Sequence, residues 1–146
     1  SGAIRADMNA GNLTLEQLIN IYPFKDNLTI IELSGKQVRD LIEYSLTLPY
    51  GLGQVSGLTI TYDSSKNIME RLVDIKVNGE KIIDAKKYTV AVSGYLADGG
   101  DGFVVFTEGR VVNADLTFQD ALYDQFKEVR NIKKPAMNRQ IDISKR

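Results

Sequence analysis

Residues 95–103 read Tyr-Leu-Ala-Asp-Gly-Gly-Asp-Gly-Phe, and the side chains here that could do chemistry are one phenol and two carboxylates set around three glycines. A phenol ring offers a π face, and a carboxylate accepts hydrogen bonds. Tyr95 and Asp101 bracket the first two glycines, so one loop can present both groups. That combination suits a planar polar ligand such as a nucleoside, whose ring wants a stacking surface and whose hydroxyls want an acceptor. Glycines 99, 100 and 102 let the main chain come close to a bound group. By themselves, Asp-Gly and Gly-Gly pairs mark turns, and Asp98 reads as a turn former. Asp98 and Asp101 could in principle act as an acid/base pair. Two carboxylates in one turn are generic, however, and the sequence supplies no nucleophile or oxyanion hole to go with them.

The elements that must position this loop are legible in outline. Thr14 with Gln17 forms a capping box ahead of Leu15, Leu18 and Ile19, and Pro23 closes that helix. Leu28 to Leu33 reads as a buried strand. Ser34 with Gln37 opens a second helix with Val38, Leu41, Ile42 and Leu46 on one face. A loop with Pro49, Gly51 and Gly53 follows. Leu58, Ile60 and Tyr62 alternate as one strand and Val73, Ile75 and Val77 as another, with Asn78-Gly79 as a hairpin turn. Tyr88 to Val92 forms a strand feeding the glycine loop, and Val104 to Phe106 a strand leaving it. Phe118, Ala121, Leu122, Phe126 and Val129 recur at helical spacing, and Arg139 to Ser144 closes the chain as a short strand. The expectation is an α+β fold: a single domain over residues 1–146 with a mixed, mainly antiparallel sheet and three or more packed helices. Asp63 to Asn67 and Asn131 to Asn138 read as surface loops. Arg130, Lys133 and Lys134 make the one basic cluster, read as a solvated loop.

Composition narrows the function. The chain has 146 residues, 43% hydrophobic and 25% charged, enough for one core, and no apolar run of about 18 residues that could span a membrane. A formal charge of −1 gives no electrostatic case for nucleic-acid polymers. Cysteine and histidine are both absent, so thiolate and imidazole metal sites are excluded and no general base is poised near pH 7.

Gly-Gly-Asp-Gly-Phe at 99–103, Gly-Ala-Ile-Arg at 2–5, Tyr-Pro-Phe at 22–24, Leu-Ser-Gly at 33–35 and Val-Ser-Gly-Leu at 55–58 all stand in this chain. Together, from Ile4 to about Ile143, they resemble the C-terminal domain of the 5'-nucleotidases, a family that includes UDP-sugar hydrolases and 2',3'-cyclic-nucleotide phosphodiesterases. The resemblance implies a nucleotide-binding and specificity domain. Arg5 would contact substrate, Tyr95 would supply one of two aromatic faces around the base, and Asp101 would accept ribose hydroxyls. Tyr95→Phe is accordingly expected to be nearly silent. The second aromatic position falls on Leu52, which cannot stack, so either Leu52 gives apolar contact only or Tyr50 from the same loop takes that face; Gln54 matches a place that hydrogen-bonds the base edge. Hydrolysis would belong to a separate N-terminal metallophosphatase domain of the same chain with two divalent metal ions, leaving this part without cofactor and inactive alone. The chain opens inside one of the shared phrases, which implies a piece of a longer protein, exported to an extracellular, cell-wall or periplasmic location. The alternative is a non-catalytic surface module of the same fold that meets a protein or a glycan.

Overall fold

Two capping boxes start the first two helices. Thr14 accepts the Gln17 N–H at 3.2 Å while the Gln17 side chain accepts the Thr14 N–H at 2.9 Å, and α1 (Leu15–Ile21) follows, ending just before Pro23, which has no N–H to continue it. Ser34 and Gln37 repeat the arrangement between β1 (Asn27–Ser34) and α2 (Gly35–Ser45). The computed structural model describes residues 3–133, 135 and 137–145; Gly2 of the first shared phrase and Lys134 of the basic cluster lie outside them.

Beyond α2 the chain forms β2 (Leu58–Tyr62), β3 (Leu72–Val77), β4 (Glu80–Lys81), β5 (Lys87–Ser93), α3 (Gly94–Ala97), β6 (Arg110–Thr117), α4 (Phe118–Val129) and β7 (Gln140–Asp142). This is an α+β fold, with the strands divided between two sheets instead of the one expected. The first runs β5-β1-β6, antiparallel throughout; the second runs β4-β3-β2-β7, with β7 parallel to β2 and the other pairs antiparallel. Both edges of β1 are taken by β5 and β6, so the second sheet joins the first only through side chains. Ile31 and Leu33 of β1, Ile60 of β2 and Ile75 of β3 are fully buried and share one cluster with Val38, Leu41 and Ile42 of α2 and with Leu46. The apolar stripe of α2 thus meets both sheets, and each such side chain removed from water is worth roughly 1.5–3 kcal/mol.

Glu43 of α2 is 9% exposed, and its carboxylate accepts the N–H groups of Arg71 at 2.6 Å and Leu72 at 2.7 Å. That fastens the start of β3 to the helix. Tyr22, 5% exposed, stacks on Phe118 of α4 at 4.5 Å and donates to Asp26 at 2.9 Å. Burial first, then the Asp26 carboxylate, pushes its phenol up to about 12.

The Asn78-Gly79 hairpin forms with positive φ at both residues, as a type I' turn requires. Four other expectations need correction. Val73 does not face inward; pairing slips between Thr61↔Asp74 and Tyr62↔Leu72, which leaves Val73 as the bulged residue, 46% exposed. Val104 to Phe106 is not a strand but part of a 3₁₀ turn, Val104–Glu108, fixed by burial of Phe106; the strand starts only after Gly109, which lies too close to Ile31 and Leu33 to carry a side chain. The closing strand is confined to β7, and Ile143–Lys145 turns as a 3₁₀ segment. Finally, β5 does not run straight into the glycine loop, because α3 intervenes.

Candidate functional site

The Ser93 hydroxyl caps α3 by accepting the Leu96 N–H at 3.4 Å, so Tyr95 sits on a helical turn, not at a strand end. Asp98 ends this turn, exposed, its N–H bonded to Gly94 O at 3.0 Å. The chain then brings Asp101 back over the turn with φ 52° and ψ 21°. That left-handed conformation is uncommon for a non-glycine residue, though aspartate tolerates it better than most. Three hydrogen bonds hold it here. Asp101 N–H donates to the Tyr95 hydroxyl oxygen at 3.2 Å, the same hydroxyl donates to Asp101 Oδ1 at 2.9 Å, and the Tyr44 hydroxyl donates to Asp101 O at 2.9 Å.

Tyr44 reaches the loop from the last turn of α2. Its ring meets Phe103 edge-on at 5.1 Å, and Phe103 lies against the buried Phe106 at 6.0 Å, so the loop is tied through aromatic contacts to the core. Gly100 and Gly102 make this packing possible: a Cβ on Gly100 would stand against the Tyr95 ring, and one on Gly102 would collide with the Tyr44 hydroxyl. Tyr95 nevertheless stays 56% exposed, and Asp101 is exposed beside it.

The loop between α2 and β2 is held from two sides. Ser45 Oγ accepts the Gly53 N–H at 3.1 Å, Gln140 donates to Gly53 O at 2.7 Å and Arg139 donates to Val55 O at 2.6 Å. Leu52 is half-buried on the core, Gln54 is exposed, and both line a cleft of about 1030 Å³ between the two sheets, floored by α2 and walled by β5. Tyr95 and Asp101 are not among the residues lining that cleft, although Phe103 is. The lining of this cleft is mainly apolar, and the Tyr95–Asp101 pair lies outside it. Tyr50 of the same loop is 63% exposed, and its phenol is held above the ordinary tyrosine range, first by desolvation and then by the Asp101 carboxylate with Tyr44 and Tyr95. Tyr50 therefore lies within electrostatic reach of the Tyr95–Asp101 pair.

Arg5 stands elsewhere: its N–H donates to Ile21 O at 2.9 Å and its guanidinium lies 5.2 Å from the Phe24 ring centroid. The five residues singled out from the sequence thus divide into a bonded pair, Tyr95 and Asp101, two cleft residues, Leu52 and Gln54, and Arg5 on Phe24. The residue that sequence reasoning missed is Tyr44. Its one local signal is its place beside the apolar stripe of α2, which says nothing of a partner far along the chain. Among the described residues no three His, Cys, Asp or Glu side chains gather as a metal site, and no helix is long and apolar enough to cross a membrane.

Comparison with known proteins supplies the family. The family model for the 5'-nucleotidase C-terminal domain matches residues 1–108. An apyrase of Tabanus yao is 33% identical over 124 residues, 75% of this chain and 22% of that protein, and the trifunctional nucleotide phosphoesterase of Bacillus subtilis is 33% identical over 136 residues, 87% of this chain and 9% of its own length. Among solved structures, a 5'-nucleotidase precursor from Thermus thermophilus superposes with a TM-score of 0.88 at 27% identity, covering 97% of this chain and 30% of that one. The superposition therefore carries the likeness past residue 108 through β6, α4 and β7. The chain belongs to the 5'-nucleotidase C-terminal domain family, and it spans less than a third of the length of these relatives.

Proposed function

We propose that this domain binds the nucleoside end of a nucleotide and sets substrate specificity for a 5'-nucleotidase-family phosphoric ester hydrolase. The observation that carries the reading is the exposed Tyr95 ring hydrogen-bonded to the exposed Asp101 carboxylate on one rigid turn. In this reading Tyr95 stacks on the base and Asp101 accepts the ribose hydroxyls, which a phosphate cannot donate. Tyr50, not Leu52, completes the aromatic pair in this reading, since Leu52 packs against the core while Tyr50 is exposed and within electrostatic reach of Asp101 and Tyr95. Gln54 reaches the base edge from the same loop, and a part for Arg5 in holding the nucleoside end rests on the resemblance alone.

Phosphoryl chemistry does not belong to this chain in our reading. Two divalent metal ions would be held by a preceding metallophosphatase domain, because a chain without histidine or cysteine and, among its described residues, without a carboxylate cluster offers no set of ligands for them. An extracellular, cell-wall or periplasmic location goes with this assignment and rests on the resemblance to exported relatives.

The test is a titration of the full-length protein with adenosine, 2'-deoxyadenosine and 3'-deoxyadenosine. Wild type is expected to prefer adenosine, and Asp101→Asn, which exchanges an acceptor oxygen for donors, is expected to lose about 1.5–3 kcal/mol of adenosine binding and most of that preference. Tyr95→Ala should raise KM for a nucleotide by the equivalent of roughly 1–3 kcal/mol through the lost stacking face. Equal binding of all three nucleosides by wild type would remove the ribose role.

A further inference from the structure

The Tyr95 hydroxyl makes two bonds to one residue. Its single proton goes to Asp101 Oδ1 at 2.9 Å and one of its lone pairs takes the Asp101 N–H at 3.2 Å. Asp101 sits in the left-handed region at φ 52°, uncommon for a non-glycine residue though aspartate tolerates it better than most, and the Tyr44 hydroxyl on its carbonyl is the third constraint. No hydrogen bond to Asp101 Oδ2 forms among the described residues, and Oδ1 keeps a second lone pair. Three acceptor positions therefore remain, one on Oδ1 and two on Oδ2, on a carboxylate whose backbone and side chain are both bonded to one phenol.

We propose that Tyr95 is a positioning residue for Asp101 as well as a stacking surface: its hydroxyl holds the aspartate in the left-handed conformation that presents the carboxylate to a vicinal diol. This rests on the nucleoside reading above and deepens it. The sequence-based expectation that Tyr95→Phe is nearly silent is replaced by its opposite. Phenylalanine keeps the π face but leaves the Asp101 N–H and Oδ1 to water, so the diol acceptor loses its preorganisation while the base-stacking surface is unchanged.

The experiment compares wild type, Tyr95→Phe and Asp101→Asn in the full-length protein. Adenosine and 2',3'-dideoxyadenosine, which lacks both ribose hydroxyls, are titrated, and steady-state kinetics on AMP are measured. Tyr95→Phe is expected to bind adenosine about tenfold more weakly, near the low end for a hydrogen bond to a charged group, with dideoxyadenosine affinity within about twofold of wild type. KM should rise while kcat holds. Hydrogen exchange of the peptide spanning residues 95–103 should speed up in the variant without ligand. A role confined to local stability would weaken both nucleosides alike and so overturns the proposal, as does a variant that binds and exchanges like wild type. If wild type itself does not prefer adenosine over the dideoxy compound, the nucleoside reading fails and the inference with it. A wild-type preference that survives Tyr95→Phe but vanishes in Asp101→Asn sinks only the inference.

Discussion

At the scale of single residues the loop is intolerant where side chains have taken the space of a missing Cβ. Gly102 has φ +81° and borders the Tyr44 hydroxyl, so Gly102→Ala must both strain its backbone and displace Tyr44 from the Asp101 carbonyl. The expected cost is about 1 kcal/mol or more, read as a lowered midpoint in denaturant together with weaker nucleoside binding; an unchanged midpoint would mean that the turn relaxes freely. Tyr50 and Leu52 are separated in the same way. Tyr50→Ala should weaken nucleotide binding with little change in stability, since Tyr50 is 63% exposed, whereas Leu52→Ala should act mainly on stability through its contacts with the core. The reverse result would return the second base face to Leu52. The pairing of Tyr95 with Asp101 is legible in the sequence, because both lie on one short loop whose glycines permit a return. Their direct hydrogen bond and the Tyr44 clamp are not. Spacing shows that two groups can meet but not which atoms do, and Tyr44 lies 57 residues from the carbonyl it holds.

At the scale of elements, features that depend on neighbouring residues form as expected, and tertiary packing accounts for the differences. Both capping boxes form because each needs only residues three apart, and Asn78-Gly79 turns because both residues tolerate positive φ. The Val104–Glu108 turn reads as a strand in sequence because Val-Val-Phe has β propensity, but Phe106 is buried and its N–H bonds to Phe103 O at 3.1 Å, and core packing prevails over propensity. The bulge at Val73 has no local signal, since register depends on the partner strand. Glu43 is one of the ties from α2 to the start of that strand, beside the Arg71 guanidinium that donates to Leu46 O at 2.7 Å, and it gives the prediction at this scale. Glu43→Ala would strand the Arg71 and Leu72 N–H groups in a half-buried position, at about 1–3 kcal/mol for each group left without a partner. Chemical denaturation reads the total. Exchange of the Arg71 and Leu72 amides should rise more than that of the β1 amides, and a uniform rise would mean that Glu43 supports the whole core and not the β3 junction.

For the whole molecule, one core serves two sheets, and the chain's last strand completes the second sheet by pairing parallel to β2. Asp142 on that strand is its fastening point. The Ser64 N–H and hydroxyl donate to it at 3.2 and 2.7 Å and those of Ser144 at 3.1 and 2.8 Å. Desolvation alone would raise the carboxyl, but these bonds outweigh it and hold it well below the ordinary carboxylate range. A folded pKa below the unfolded one stabilises the fold above the unfolded value of about 3.9, and that contribution is lost as pH falls from there through the folded value. The gap in stability between wild type and Asp142→Asn should thus be widest near neutrality and close in acid; a gap independent of pH would show that the hydroxyl contacts do not require the charge. The division of labour between this domain and the rest of its protein gives the most exposed prediction. The chain matches relatives named as phosphoesterases and nucleotidases over less than a third of their length, and it has no histidine or cysteine. A water molecule attacking phosphorus needs a metal or a general base to make it nucleophilic near pH 7, and among the described residues no three His, Cys, Asp or Glu side chains gather to hold a metal, so the proposed reading assigns that step to another part of the protein. Purified residues 1–146, supplied in turn with manganese, zinc and magnesium, should release no phosphate from AMP above a buffer blank while still binding adenosine in a titration. Metal-dependent turnover that stays with the chain through successive columns, and that disappears in a point variant of the chain, would place the chemistry here after all and overturn the assignment of this domain to specificity alone.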